Sequence, residues 1–197
     1  ANRDSRWLYE ILQFLFNHIE ELNQTEFASQ FKDFLEKMAV RYAEGRLFTE
    51  EDIIKKYGDI PVYAFNFIDY ILWKNREELG RKYKGVKFDH FKFAYRRSIE
   101  HWFPQHPNSD EKIEKMDDQF LHSFGNLCII TDSQNSKFGN LVPSAKYKQW
   151  EGIFDRQSLK LQIMANITEK TKWESYQIKG LEKEILPMVK RFIESKS

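Results

Sequence analysis

The chain predicts an α+β fold that is mostly helical, with a small core of two strands and a helix near its middle. Three observations predict it. Apolar residues recur at helical spacing through the first 80 residues and again after Pro143. At Gly80 the character changes: basic residues accumulate, and Phe88 to Glu100 alternates as an extended chain does. Asn126 to Thr131, N-L-C-I-I-T, is short, apolar and partly β-branched, which suits a buried strand. The same changes divide the chain into a helical flanking region (1–80), a core (81–150) and C-terminal helices packing on that core (151–197).

Trp7, Leu8, Ile11, Leu12, Leu15, Ile19 and Leu22 share one face of a first helix. Thr25 caps a second, carrying Phe27, Phe31, Phe34, Leu35 and Met38 and ending near Gly45. Thr49-Glu50-Glu51-Asp52 resembles a capping box and predicts a short third helix stopping around Gly58. A fourth starts at Pro61 and runs toward Glu78. Such aromatic stripes read as core. Trp102 to Phe120 is a long irregular connection broken by Pro104, Pro107 and Asn108. After Thr131, Asp132 or Ser133 caps a short helix through Asn135 and Lys137 that breaks near Gly139, and Pro143-Ser144 opens another. Periodicity then returns in Trp150 to Ile163 and in Trp173 to Phe192, where Pro187 kinks or divides the helix.

Composition narrows the class. At 197 residues, 41% hydrophobic and 16% aromatic, the chain packs as a globule and is not a disordered segment. No apolar run approaches the ~18–20 residues of a membrane span, and the first residues show no basic-then-apolar secretion signal. A single cysteine, Cys128, excludes an intrachain disulfide and a paired-cysteine zinc knuckle. A cytoplasmic protein is the natural expectation, and a start at Ala1 instead of Met reads as a piece of a longer one. Net charge is +1, but its distribution is uneven. Arg81 to Ile99 holds seven Lys/Arg against Asp89 alone; Ser133 to Trp150 holds Lys137, Lys146 and Lys148 and no acid. Between them, Asp110 to Asp118 is acidic. Local positive fields of this kind recruit a phosphate backbone, although a charge run by itself is more often a solvated face.

The chemistry concentrates in R-R-S-I-E-H-W-F-P-Q, from Arg96 to Gln105, and G-N-L-C-I-I-T-D-S-Q-N-S-K, from Gly125 to Lys137. A carboxylate beside a histidine, Glu100-His101, is followed by Asn126 and, nine residues on, Asn135. A carboxylate and an asparagine hold a hard divalent cation through oxygen, and a histidine deprotonates water when another group holds its ring. Asp89-His90 is a decoy pair, with no Pro-Gln after it and no asparagine at the right distances.

Taken together, E-H-x-x-P-Q, G-N-L and the second asparagine resemble the ββα-metal, or His-Me finger, core of HNH endonucleases. One similar branch is the HNH domain of CRISPR effector nucleases, with D-H-x-x-P-Q, two asparagines nine apart, and a continuation like Asn135 to Ser144 here. The other is the C-terminal nuclease domain of GmrSD-type modification-dependent restriction enzymes. Leu121-His122-Ser123-Phe124-Gly125-Asn126-Leu127 and the glutamate at position 100 fit that branch better. The resemblance covers roughly 96 to 146.

The resemblance implies roles. His101 is the general base for water attack on a phosphodiester, and Asn126 orients its ring. Glu100 and Asn135 hold one Mg²⁺ or Mn²⁺ and no zinc. Lys137, Lys146, Arg97 and His122 contact phosphate; Arg96, next to Arg97, points to the opposite face of an extended chain. Plain structural readings stand beside these: turn chemistry for Asn126, a polar helix-start residue for Asn135, packing for His122. The function implied is metal-dependent cleavage of DNA, nicking or cutting both strands, as the effector of an anti-phage restriction protein. Its regulatory or sensor N-terminal domain lies outside this chain, which has no G-x-x-x-x-G-K-[ST] loop. A homo-oligomer would allow double-strand cleavage. The rival readings are a catalytically silent DNA-binding module and a helical interaction domain.

Overall fold

Good helix formers with a stripe of apolar side chains build most of the chain, and one short antiparallel pair of strands sits among them. The computed structural model describes residues 5–108 and 115–196. Helices α1 (Arg6–Asn17) and α2 (Phe27–Leu47) lead into α3 (Val62–Lys74) and α4 (Arg76–Lys82). Strand β1 (Ser98–His101) follows, then α5 (Asp118–Leu121), β2 (Leu127–Ile130), α6 (Asp132–Phe138), α7 (Pro143–Trp150), α8 (Leu159–Lys170) and α9 (Ser175–Glu194). The strands pair antiparallel, with Ser98 opposite Ile130 and His101 opposite Leu127. Every residue of β2 is buried, as a short unbroken apolar run requires. The α+β expectation therefore holds in its coarse form: mostly helix, with a two-stranded sheet.

One hydrophobic cluster joins Val40 and Leu47 of α2, Ile68 and Leu72 of α3, all of β2, Leu161 and Met164 of α8, and Ile185 and Val189 of α9. Helix α3 and helix α8 both lie against β2 and pack against each other. Among the described residues, no helix is long and apolar enough to cross a membrane.

Several expected elements differ. The first helix stops at Asn17, and most of its apolar stripe is not core: Trp7, Leu8, Leu12, Ile19 and Leu22 are exposed, while Phe14 packs in the aromatic row Phe27, Phe31 and Phe34 along α2. Periodicity shows that a helix has an apolar side, not that the side is covered. No helix forms over 49–58. A tight turn replaces it, closed by a bridge between Phe48 and Ile54, with the Thr49 Oγ1 accepting the Ile53 N–H at 3.3 Å and Asp52 at φ 60°. Too few residues separate that acidic start from Gly58 and Pro61 to repay helix nucleation. The fourth helix divides at Asn75, whose amide bonds back to the Ile71 carbonyl at 2.8 Å. The extended stretch before Glu100 opens as a 3-10 turn at Phe88–His90, and regular pairing begins only at Ser98. Pro187 lies inside α9 without dividing it.

The short helices after β2 fall where the sequence places them. Thr131 occupies the N-cap position of α6, ahead of the expected Asp132 or Ser133 and without a side-chain capping bond, and the helix ends at Gly139, whose φ of 46° suits glycine. Helix α7 opens at Pro143. In the connection from Trp102 to Phe120 and its acidic run, residues 109–114 lie outside the described residues; the described flanks are irregular until α5 starts at Asp118.

Candidate active site

Strand β1 delivers Glu100 and His101 as neighbours, and α6 packs against that strand. The end of β1 is fixed by a polar clamp. Asn126 is completely buried and fills all of its side-chain hydrogen-bonding capacity. Its Oδ1 accepts from the Phe103 N–H at 2.9 Å and from the Trp173 indole N–H at 3.1 Å. Its Nδ2 donates to the carbonyls of Phe103 at 3.0 Å and Leu121 at 2.9 Å. The Trp102 N–H meanwhile donates to the Asn126 carbonyl at 2.9 Å. Asn126 therefore ties the chain leaving His101 to the chain entering β2 and to the turn before α9, and its filled amide is not hydrogen-bonded to the His101 ring. Gly125 beside it has to be glycine: a Cβ there would stand 2.4 Å from the Ile178 carbonyl of α9. Its N–H donates to Glu182 at 2.8 Å.

The His101 ring is held by two other residues. Gln105 Nε2 lies 3.2 Å from Nδ1, and His122 Nδ1 lies 3.1 Å from Nε2. Tyr57 stands edge-on, its ring centre 4.4 Å from that of His101, and stacks against His122; its backbone N–H donates to the His122 carbonyl at 2.9 Å. Under this cover His101 is only 5% exposed. Burial, followed by the neighbouring His122 and the Lys146 charge, pulls its pKa down to about 4, so the imidazole is neutral at physiological pH.

Glu100 faces the other way, into a buried ion pair. Lys146 of α7 is wholly buried, and its ammonium donates to Glu100 Oε1 at 2.6 Å, the His101 carbonyl at 2.8 Å and the Trp102 carbonyl at 2.9 Å. Burial raises the Glu100 pKa and lowers that of Lys146, and each group's charge opposes the other's shift. Lys146 thus neutralises the carboxylate and pins the end of β1 from inside the protein. The phosphate contact expected of it is corrected to this interior role, since a group without solvent exposure has no access to a phosphate.

The remaining expected residues are at the surface. Asn135 and Lys137 are exposed on α6. Arg97 is exposed and paired with Asp132, whose other oxygen accepts from the Ser98 hydroxyl at 2.6 Å; this couples β1 to the first turn of α6. Arg96 is buried and donates to the Arg156 carbonyl at 3.1 Å, so the two arginines do point apart. His122 is half-buried. His101, His122, Glu100 and Lys146 are thus one connected group, while Asn135 and Lys137 lie on the neighbouring helix. Gln105 was quoted in the sequence motif without a role. Tyr57 gave no signal, because its segment read as helix, and Trp173 read only as an apolar helix residue.

A resident cation must fit these donors. Glu100 Oε1 is taken, but Oε2 has no hydrogen-bond partner among the described residues, and the side chain keeps 10% exposure. The Asn135 amide on α6 is exposed to solvent. One carboxylate oxygen and one amide oxygen suit a hard ion that keeps most of its water, and the adjoining ammonium weakens its binding. Among the described residues no three His, Cys, Asp or Glu side chains gather as a metal cluster.

Fold and motif together define a restriction-endonuclease-related domain. The family model described as GmrSD restriction endonucleases, C-terminal domain, matches residues 47–187, well over half of the chain, and the chain belongs to that family. It is a nuclease domain in that general sense. The match starts at the last residue of α2, so α1 and nearly all of α2 stand outside it. The searches of curated proteins and of solved structures gave no match.

Proposed function

We propose that this chain is an HNH-type, metal-dependent DNA endonuclease domain, the effector portion of a cytoplasmic anti-phage restriction protein controlled by a sensor domain outside this chain. The observation that carries the reading is a neutral, held imidazole, His101, at the end of β1, next to Glu100 and beside a helix bearing Asn135. In this reading the sheet and α6 are a ββα-metal core. Glu100 Oε2 and Asn135 Oδ1 would hold one Mg²⁺ or Mn²⁺. Such an ion, when bound, supplies charge stabilisation for the phosphate and the leaving oxygen. His101 takes the proton of the attacking water, and its low basicity keeps the accepting lone pair present at neutral pH. Tyr57 and His122 limit solvent around the imidazole. Lys137 on α6 and Arg97, just before β1, are exposed, and would meet an approaching phosphodiester backbone.

Incubating supercoiled plasmid with the purified chain and Mn²⁺, beside His101→Ala, tests the reading. Metal-dependent nicking lost in the variant supports it. A gel shift without cleavage in any lane would favour a silent DNA-binding module, and neither binding nor cleavage would favour an interaction domain.

A further inference from the structure

We propose that His122 and Gln105 set the tautomer of His101, with the proton on Nε2 and the lone pair on Nδ1 accepting from the Gln105 amide. The inference rests on the nuclease reading for its consequence but on geometry for its content. Both nitrogens of His101 have partners, at 3.1 and 3.2 Å, and the partners differ in kind. Gln105 approaches Nδ1 with its amide nitrogen, which only donates, so Nδ1 is the acceptor. The ring proton then sits on Nε2 and is given to His122 Nδ1, which leaves the His122 proton on its own Nε2.

The surroundings give this chain of bonds a direction. Gln105 is exposed, whereas His122 is half-buried, stacked on Tyr57 and fixed through its backbone carbonyl by the Tyr57 N–H. The Nε2 side of His101 is therefore the permanent anchor and the Nδ1 side the one that opens. A substrate water replaces the Gln105 amide by donating an O–H to the same lone pair. When that water attacks phosphorus, its proton passes to Nδ1, the new O–P bond forms, and the P–O bond breaks with its electron pair going to the leaving oxygen, which takes a proton from solvent water. The resulting imidazolium keeps its Nε2–H on His122. His122 is thus a positioning residue that performs the ring-holding task the sequence assigned to Asn126, and Gln105 is the placeholder for the nucleophile.

The test uses the full chain labelled with ¹⁵N at its five histidines, with His101→Ala to assign the signal. Wild type should show His101 with an unprotonated Nδ1 and a protonated Nε2. His122→Asn places an amide oxygen where Nδ1 was and should keep that tautomer. His122→Gln, which reaches to the Nε2 position, and His122→Ala should give a mixture. Plasmid cleavage in Mn²⁺ should fall about 100-fold or more in kcat for His122→Ala and His122→Gln, with KM little changed, and recover to within about tenfold in His122→Asn. A protonated Nδ1 in folded wild type, or a tautomer and rate untouched by His122→Ala, overturns the inference. If wild type shows the expected tautomer but never cleaves, the nuclease reading fails while the assignment of the ring stands.

Discussion

Replacing Asn126 by alanine removes an amide that four separate groups depend on. The Phe103 N–H, the Trp173 indole N–H and the carbonyls of Phe103 and Leu121 all lose their partner in a place with no solvent exposure. A buried donor or acceptor left unpaired costs about 1–3 kcal/mol. Water entering the vacated volume recovers part of this, and carbonyls tolerate the loss better than N–H groups, so a total of about 3–5 kcal/mol is expected. That is a large share of the ~5–15 kcal/mol that holds a domain together. Urea unfolding followed by tryptophan fluorescence should show the midpoint fall with the slope unchanged. Asn126→Asp should be at least as damaging, because it turns a donor facing two carbonyls into an acceptor. A loss below about 1 kcal/mol for the alanine variant, with activity abolished, would refute the clamp and return Asn126 to a catalytic role.

Other expectations follow from the same geometry. Lys146→Ala strands the buried Glu100 carboxylate and should cost about 3–5 kcal/mol, with Lys146→Met plus Glu100→Gln recovering part of it in the same urea assay. Gly125→Ala should destabilise strongly in thermal unfolding, since its methyl meets the backbone of α9 at 2.4 Å, whereas Gly152→Ala, open on all sides, should not. Asp69, buried in α3 with Oδ2 unpartnered, has its pKa raised by desolvation to about 7. Because the folded state holds that proton more tightly than the unfolded chain, its contribution is full below about pH 4 and is lost as pH rises through about 7. Asp69→Asn, which keeps an acceptor for the Lys160 N–H, should match wild type near pH 4 and exceed it by on the order of 2–4 kcal/mol above pH 7, as measured by urea midpoints.

The sequence carries the centre of the fold well and its periphery less so. A four-residue apolar run bounded by a Gly-Asn turn and an Asp-Ser helix start leaves little choice for β2 and α6, because local signals and burial agree there. Thr49 to Asp52 offered a helix start with no room for the helix behind it, and the tertiary bridge from Phe48 to Ile54 won. The stripe on α1 identified a helix but not what lies against it. At the site, Glu100 and His101 were legible because strand, residue type and spacing coincide. Lys146 was not, since a lysine in a basic stretch reads as surface until α7 is seen to turn it inward. Asn126 was found for its place in the motif, but not its bonds to Phe103, Leu121 and Trp173, which depend on the loop from Trp102 to Gln105, whose path no periodicity encodes.

If His101 is the general base we propose, phosphodiester cleavage depends both on its imidazole and on a divalent ion. Supercoiled plasmid should be nicked or linearised by the chain in Mg²⁺ or Mn²⁺, remain intact in EDTA, and be cut at least about 100-fold more slowly by a folded His101→Ala variant. Cleavage that persists at the wild-type rate in that variant, or in EDTA, would contradict the account.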